Sequence, residues 1–274
     1  MFVFIKLLSK KGHTLNIYDV NSNLAARIAD ETGSNAHSSI QCLLTASETV
    51  IVCTPIGITP GIIDEVSSKA EEDVNVVEIS SIKNQTVLAL QRNSEKISPL
   101  SVHPMFGPDV ETMEGQRIVV VPVVDSDKEE QLTRELFPGA EILVLDTETH
   151  DRAMALILSL PYFMNSVFLR CMVDEDLSLL REIGGPTFRT QLALAHCILG
   201  EDPLFVESLI EDNVYAGDIL TKYIDELKYL RRMLKSRPQK LVDYYKDNRK
   251  EMESDPEFSN ARIIRNLFLQ ANQE

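Results

Sequence analysis

The side chain in this sequence best suited to moving a proton is His103, in the segment Ser101-Val102-His103-Pro104-Met105-Phe106-Gly107-Pro108. An imidazole titrates near neutral pH, so it takes up or gives away a proton under working conditions. Pro104 and Pro108 each fix their own φ and push the residue before them toward extended geometry. His103 is therefore expected at the end of a strand, held rigidly, where an open α/β sheet presents its chemistry. A buried histidine at a proline-rich turn satisfies the same pattern, so the rest of the chain has to decide.

A second candidate is Asp19. It closes the strand pattern Leu15-Asn16-Ile17-Tyr18, which follows a helical run beginning at Phe2 and ending at Gly12. Helix, glycine, strand and acid, in that order, match a dinucleotide-binding unit, whose second strand ends in an acid that binds ribose hydroxyls. A turn or N-cap acid is the alternative. Val20 and Asn21 follow with no arginine, which favours NAD over NADP. The glycine-rich turn that should precede the first helix is not in the sequence. No glycine occurs before Gly12 and no Gly-x-Gly-x-x-Gly occurs anywhere, although that turn lets backbone approach a pyrophosphate. The expectation is a chain truncated at its start, which would bind NAD weakly and leave strand edges unpaired. A protein that lacks the phosphate loop is the alternative.

The elements that must position these residues alternate. Strand patterns over Thr49–Cys53, Val74–Ile79, Leu100–His103, Gln116–Val124 and Ala140–Leu145 are separated by helical patterns near residues 23–32, 61–69, 86–91 and 129–136. That alternation predicts an α/β fold with a Rossmann-like doubly wound parallel sheet over residues 1–147. From 148 to 274 only helical patterns remain. Thr149 is the expected N-cap of a long helix kinked at Pro161, and Gly184-Gly185-Pro186 separates two later helices. Ile219, Tyr223, Ile224, Leu227, Leu230 and Leu234 recur at helical spacing. Such an all-helical half is expected to dimerise, although the same stripe also suits an intrachain core.

Composition narrows the class. A net charge of −15, with acids spread along the chain, argues against nucleic acid, which wants a basic face. The four cysteines form no Cys-x-x-Cys pair, and with no secretory or membrane-length apolar run evident the expectation is a reduced, cytoplasmic protein without a membrane partner. No spacing of His, Cys, Asp and Glu suggests a metal site.

His103-Pro104-Met105-Phe106-Gly107-Pro108 resembles the signature of the prephenate dehydrogenase family, the NAD(P)-dependent enzymes of tyrosine biosynthesis. Val50-Ile51-Val52-Cys53-Thr54-Pro55-Ile56 is similar to the family's fourth-strand segment, and Ser80-Ser81-Ile82-Lys83 to its Ser-Val-Lys loop. His150-Asp151-Arg152-Ala153-Met154-Ala155 resembles the start of its helical domain, and Phe268-Leu269-Gln270-Ala271-Asn272 its tail. The resemblance implies oxidative decarboxylation of prephenate, with His103 taking or polarising the ring-hydroxyl proton and Ser81 bonding near the same hydroxyl. It implies Thr54 and Pro55 beside the nicotinamide ribose, and Lys83 and His150 among the substrate-binding residues, His150 either anchoring the substrate or positioning its helix.

Two positions depart from the family pattern. Tyr162 stands where bacterial relatives carry a second histidine, and Cys197 where they carry a carboxylate-binding arginine. Arg189, with Gln191 on the same helix, is the candidate to hold the substrate carboxylate, and Tyr162 the candidate to donate in place of the histidine. These departures leave arogenate, with an amine in place of the side-chain ketone, as an alternative substrate. Two further alternatives are a hydroxyacid or imine reductase, which lacks this His-Pro-Met-Phe-Gly-Pro loop, and a non-catalytic family member acting as a regulator.

Overall fold

The computed structural model describes residues 2–9, 12–71, 74–107, 110–236 and 238–270. Of the residues singled out above, Pro108, Ala271 and Asn272 lie outside these. The chain divides into two compact units, one of Met1–Met154 with Glu207–Val214 and one of Ala155–Val206 with Tyr215–Glu274.

The first unit begins with α1 (Phe2–Ser9), β1 (Asn16–Ile17), α2 (Ser22–Thr32), β2 (Asn35–Ala36), α3 (Ile40–Thr45) and β3 (Thr49–Val52). It continues with α4 (Thr59–Lys69), β4 (Val74–Glu78), α5 (Asn84–Asn93), β5 (Ile97–Pro104), β6 (Arg117–Val120), α6 (Ser126–Leu136), β7 (Glu141–Val144) and α7 (Thr147–Met154). Local signals set the ends. Asn21 caps α2 by accepting from the Leu24 N–H, and Gly33 ends it at φ +68, a left-handed conformation that favours glycine. At α6 the buried Glu129 carboxylate reaches back to the N–H groups of Val123, Val124 and Asp125, so one acid closes the turn that leads into the helix.

Strands β3 to β7 form one sheet in sequential order, with β3–β4, β4–β5 and β6–β7 parallel. Side chains of a strand alternate between faces, and β4 shows it. Val76 packs with Val50, Val52, Ile63, Val66, Ala89 and Leu90 on one face. Val77 packs with Leu100, Val102, Phe4, Leu7 and Phe137 on the other. Helices thus cover both faces, the doubly wound arrangement expected.

Two details differ from the sequence expectation. β6 runs antiparallel to β5, with His103 opposite Val119. A parallel return needs a crossover, and the described residues between Pro104 and Arg117 include no helix. Secondly, β1 and β2 form their own two-stranded parallel sheet. It is tied to the segment before β3 by the Asn16 amide, which donates to the carbonyl of Ala46 and the hydroxyl of Ser47.

The second unit holds α8 (Leu160–Arg170), α9 (Leu177–Ile183), α10 (Pro186–Leu199), the start of α11 (Pro203–Glu211), α12 (Ala216–Ser236), α13 (Pro238–Met252) and α14 (Ala261–Gln270). The expected cap at Thr149 is corrected. Asp146 accepts from the Thr149 N–H at 2.9 Å and from its hydroxyl, so the helix starts a turn earlier. The kink expected at Pro161 takes the form of a π-helical turn over Ala155–Ser159, where the widened ladder makes room for a ring that cannot donate. By length and apolar composition alone, the continuous helix Thr147–Arg170 would suffice to cross a membrane, in contrast to the expectation of no membrane-length apolar run.

On α12, Leu220 and Met233 are buried while Ile224, Leu227 and Leu234 are exposed, Leu234 by 69%. Leu199 on α10 and Ile263 and Leu267 on α14 are exposed as well. The α12 stripe therefore serves only in part as core, and the remainder is apolar surface of the kind that marks an interaction face.

Candidate active site

The candidate site lies in the first unit, where the parallel strands end. β1 delivers Asp19, β3 Thr54, β4 Ser81, and β5 His103. The carboxyl edge of an open α/β sheet is where such folds bind ligands.

Strand β4 ends on an unexpected residue. Glu78 is fully buried at the end of an otherwise apolar run, opposite Ser101 of β5. An isolated carboxylate there would be very costly, and its partners explain why it is tolerated. The ammonium of Lys83, also fully buried, donates to Glu78 Oε1 at 2.6 Å and to the Val102 carbonyl at 2.6 Å. The Ser80 N–H donates to Oε2 at 2.8 Å, and the Ser101 hydroxyl donates to Oε1. Burial draws Lys83 below its ordinary value, against the attraction of Glu78. Lys83 therefore clamps β4, β5 and the turn between β4 and α5. Its 0% exposure corrects the expectation that it touches substrate.

A second buried chain reaches His103. Its Nδ1 lies 3.0 Å from His150 Nε2, with the rings edge-on at 67°. His150 Nδ1 lies 2.8 Å from Asp151 Oδ1. The Asp151 carboxylate also accepts the backbone N–H groups of Lys83 and Asn84, each at 2.9 Å. Those donors at the start of α5 have no partner within the helix, and an anion suits them. The Asn213 amide donates to the Asp151 carbonyl at 2.8 Å and fixes its backbone. His150 is fully buried and has a partner on each ring nitrogen, which corrects the expectation that it anchors substrate.

His103 itself is 5% exposed. Burial, then the Lys83 charge, then His150 hold it well below its ordinary 6.5, so it is neutral at pH 7. Its Nε2 has no partner among the described residues. Ser81, in the turn after β4, is half-buried, and no hydrogen bond engages its hydroxyl among the described residues.

For a dinucleotide, the ribose ends of a site fit. Asp19 sits at the end of β1, with Oδ1 accepting the Asn21 N–H at 2.8 Å and Oδ2 without a partner among the described residues. The Thr54 and Thr59 hydroxyls lie 2.8 Å apart, which shapes the turn at the end of β3 around Pro55. No residue is assigned to the phosphates.

Three candidates belong to the second unit. Tyr162 is half-buried against Phe205, and burial followed by the Glu201 charge raises its phenol. The Gln191 amide donates to the buried Asn165. The Arg189 guanidinium is exposed, with no ion pair among the described residues, and Cys197 is exposed too. Sequence reasoning passed over Glu78, Ser101, Asp151 and Asn213. Glu78 carried a signal, an acid terminating a buried Val-Asn-Val-Val run, and Asp151 stood in the His-Asp pair without a role.

Cys53, which directly precedes Thr54, gives a simple check on packing at this edge. Burial pushes its thiol up to about 11, whereas Cys42 is exposed. Thiolate is the reactive form. At pH 8, alkylation of Cys53 is expected to be at least ~100-fold slower than that of Cys42, and to become comparable on unfolding. Equal rates by peptide mass mapping of the native protein would contradict the part-buried placement of Cys53.

Comparison with known proteins gives two successive matches along the chain. Residues 4–141 match a family model described as prephenate dehydrogenase, nucleotide-binding domain, and residues 146–247 one described as prephenate dehydrogenase, dimerization domain. A probable arogenate/prephenate dehydrogenase of Methanocaldococcus jannaschii is 22% identical over 243 residues, 85% of this chain and 54% of that protein. A T-protein of Enterobacter agglomerans is 22% identical over 209 residues, 75% of this chain and 56% of that protein. The chain thus spans about half the length of these curated relatives. In fold it resembles the crystal structure of prephenate dehydrogenase from Aquifex aeolicus in complex with hydroxyphenyl propionate and NAD+, with a TM-score of 0.73 at 20% identity over 93% of this chain and 94% of that one. With nearly its whole length accounted for by the two successive domains of one enzyme family, the chain belongs to the prephenate dehydrogenase family.

Proposed function

We propose that this chain catalyses the NAD-dependent oxidative decarboxylation of prephenate to 4-hydroxyphenylpyruvate, with His103 as the proton acceptor. The observation that carries the proposal is the state of His103, a neutral, rigidly held imidazole at a sheet's carboxyl edge with one ring nitrogen unengaged by any described residue. NAD, when bound, supplies the hydride acceptor. Asp19 holds its adenosine ribose and Thr54 and Pro55 border the nicotinamide ribose. His103 takes the ring-hydroxyl proton as the carbinol carbon is oxidised. The bond to the ring carboxylate then breaks, its electron pair makes the ring aromatic, and carbon dioxide leaves. The new phenolic oxygen recovers the proton from His103, so none is consumed overall. Ser81 donates to the same oxygen; in the helical unit, Arg189 is the candidate to bind a carboxylate, with Tyr162 and Gln191 as candidate hydrogen-bonding groups.

Assay of prephenate and arogenate, each with NAD and NADP, tests the proposal. Prephenate with NAD is expected to be the best pair. Cys197, at the position of the family's carboxylate-binding arginine, leaves arogenate as the second reading, and a higher kcat/KM for arogenate would establish it. Absence of turnover with either would remove the proposal.

The pH profile follows from the imidazole. His103 must be neutral to accept a proton, and its value is depressed. The acid limb of kcat/KM is therefore expected well below pH 6.5, with the rate level through that value. A limb at or above 6.5 would assign it to another group.

The exposed apolar residues on α10, α12 and α14 support a homodimer through the helical unit. Light scattering at micromolar concentration is expected to give twice the chain mass, and a monomer mass would reject it.

A further inference from the structure

The His103–His150–Asp151 chain has a direction, and the donors fix it. Both oxygens of the Asp151 carboxylate accept backbone N–H groups, from Lys83 and Asn84. An ionised carboxylate has no proton to give. The contact between His150 Nδ1 and Asp151 Oδ1 at 2.8 Å is therefore a hydrogen bond donated by His150. With a single proton on its ring, His150 then presents a bare Nε2 to His103 Nδ1 at 3.0 Å. That contact is a hydrogen bond only if His103 Nδ1 carries the hydrogen. A neutral His103 so arranged has its lone pair on Nε2, the ring nitrogen that no described residue engages.

We infer that Asp151 and His150 are positioning residues that hold His103 as the Nδ1–H tautomer, so that a lone pair rather than an N–H meets the substrate hydroxyl. The inference rests on the function proposed above. A free imidazole prefers its proton on Nε2, so without this chain the wrong nitrogen would be protonated in the larger fraction of molecules. The anchor is rigid. Asp151 is bound by the first N–H groups of α5, and its backbone is held by Asn213. The fully buried Asp151 and His150 touch no solvent through which their hydrogen bonds could exchange.

Two variants of His150 separate positioning from packing. His150→Leu fills similar space but neither accepts from His103 nor donates to Asp151. His150→Gln keeps both functions, with a carbonyl oxygen to accept and an amide to donate, yet it cannot itself carry a proton along the chain. kcat is expected to fall about 100-fold in His150→Leu with KM little changed, a carboxylate-held tautomer being worth up to about 10⁴ elsewhere. His150→Gln is expected to stay within about fivefold of the parent. The direct readout is the imidazole nitrogen NMR spectrum of the full chain labelled with ¹⁵N-histidine, the His103 signals being identified by their loss in His103→Asn. His103 is expected as Nδ1–H in the parent and in His150→Gln, and as Nε2–H in His150→Leu.

Nε2–H in the parent, or a doubly protonated His150 donating to His103, would overturn the inference. So would His150→Gln as slow as His150→Leu with both folded, or His150→Leu with unchanged kcat. The spectrum needs no substrate. A protein that shows the expected tautomer but turns over neither prephenate nor arogenate would thus count against the proposed function alone.

Discussion

His103→Asn is expected to fold and to lose about 10²–10⁴ of kcat, with KM for the ring substrate within a few-fold of the parent. The loss is large because no other described group is placed to replace the base. Lys83 is spent on Glu78 and the Val102 carbonyl, and His150 has both nitrogens engaged. Folding is expected to survive because an asparagine amide can still donate to His150 Nε2, leaving no buried acceptor unmet. The pH dependence of stability supplies a second readout. The unfolded histidine binds a proton below about 6.5, while the native one, held lower by burial, does not. Between those two values the unfolded state carries the extra proton, so native stability falls as pH falls. His103→Asn removes that contribution, and its melting temperature is expected to decline less than the parent's between pH 7 and 5. Steady-state kinetics and thermal melts check both. A kcat within threefold of the parent would take His103 out of the chemistry.

That prediction uses a residue legible in the sequence, and the reason is local. His103 is announced by Pro104, whose constraint on backbone geometry acts within one residue. The alternation of β3, α4, β4, α5 and β5 was equally legible, since each buried strand is a short apolar run and each helix a repeat of 3.6. The reversal at β6 was not, because it depends on what fills the twelve residues between two strands rather than on either strand's pattern. The short β1–β2 pair escaped for a related reason, since a two-residue strand has no period to read.

The site was half legible. Sequence order brought out Asp19, Thr54, Ser81 and His103 as strand ends. It misplaced Lys83 and His150, because a lysine or histidine near a site is by default assigned to the ligand. Their full burial depends largely on partners distant in sequence, with the Lys83 N–H meeting Asp151 68 positions on and His150 meeting His103 47 positions back. Glu78 and Asp151 are the counter-groups that turn those residues inward; Asp151 stands in the His-Asp pair with nothing local to show which groups it binds, and Glu78 is marked only as an acid ending an apolar run.

The buried Lys83–Glu78 pair is where that long-range dependence has its largest expected effect on stability. Removing one partner of a buried ion pair typically costs about 3–5 kcal/mol, because the other charge is left uncompensated in a medium of low polarity. Lys83→Met strands Glu78 with only the Ser80 N–H and the Ser101 hydroxyl. Glu78→Gln keeps the shape but leaves the Lys83 ammonium without its counter-charge. Against a total stability of about 5–15 kcal/mol, either variant should melt far below the parent. Replacing both together removes both charges, and the loss is expected to be smaller than that of Lys83→Met alone. The pH response identifies the stranded group. Burial already draws Lys83 down, and without Glu78 it is drawn further. The unfolded lysine stays protonated up to about 10.4, so below that value the unfolded state of Glu78→Gln binds the extra proton. Its stability deficit is therefore expected to shrink as pH rises toward 10. Denaturant midpoints at pH 7 and 9.5 for the two single variants and the double variant decide the matter. Single-variant losses below about 1 kcal/mol, typical of an exposed pair, would show that these charges reach water and that the clamp between β4 and β5 is not the ion pair.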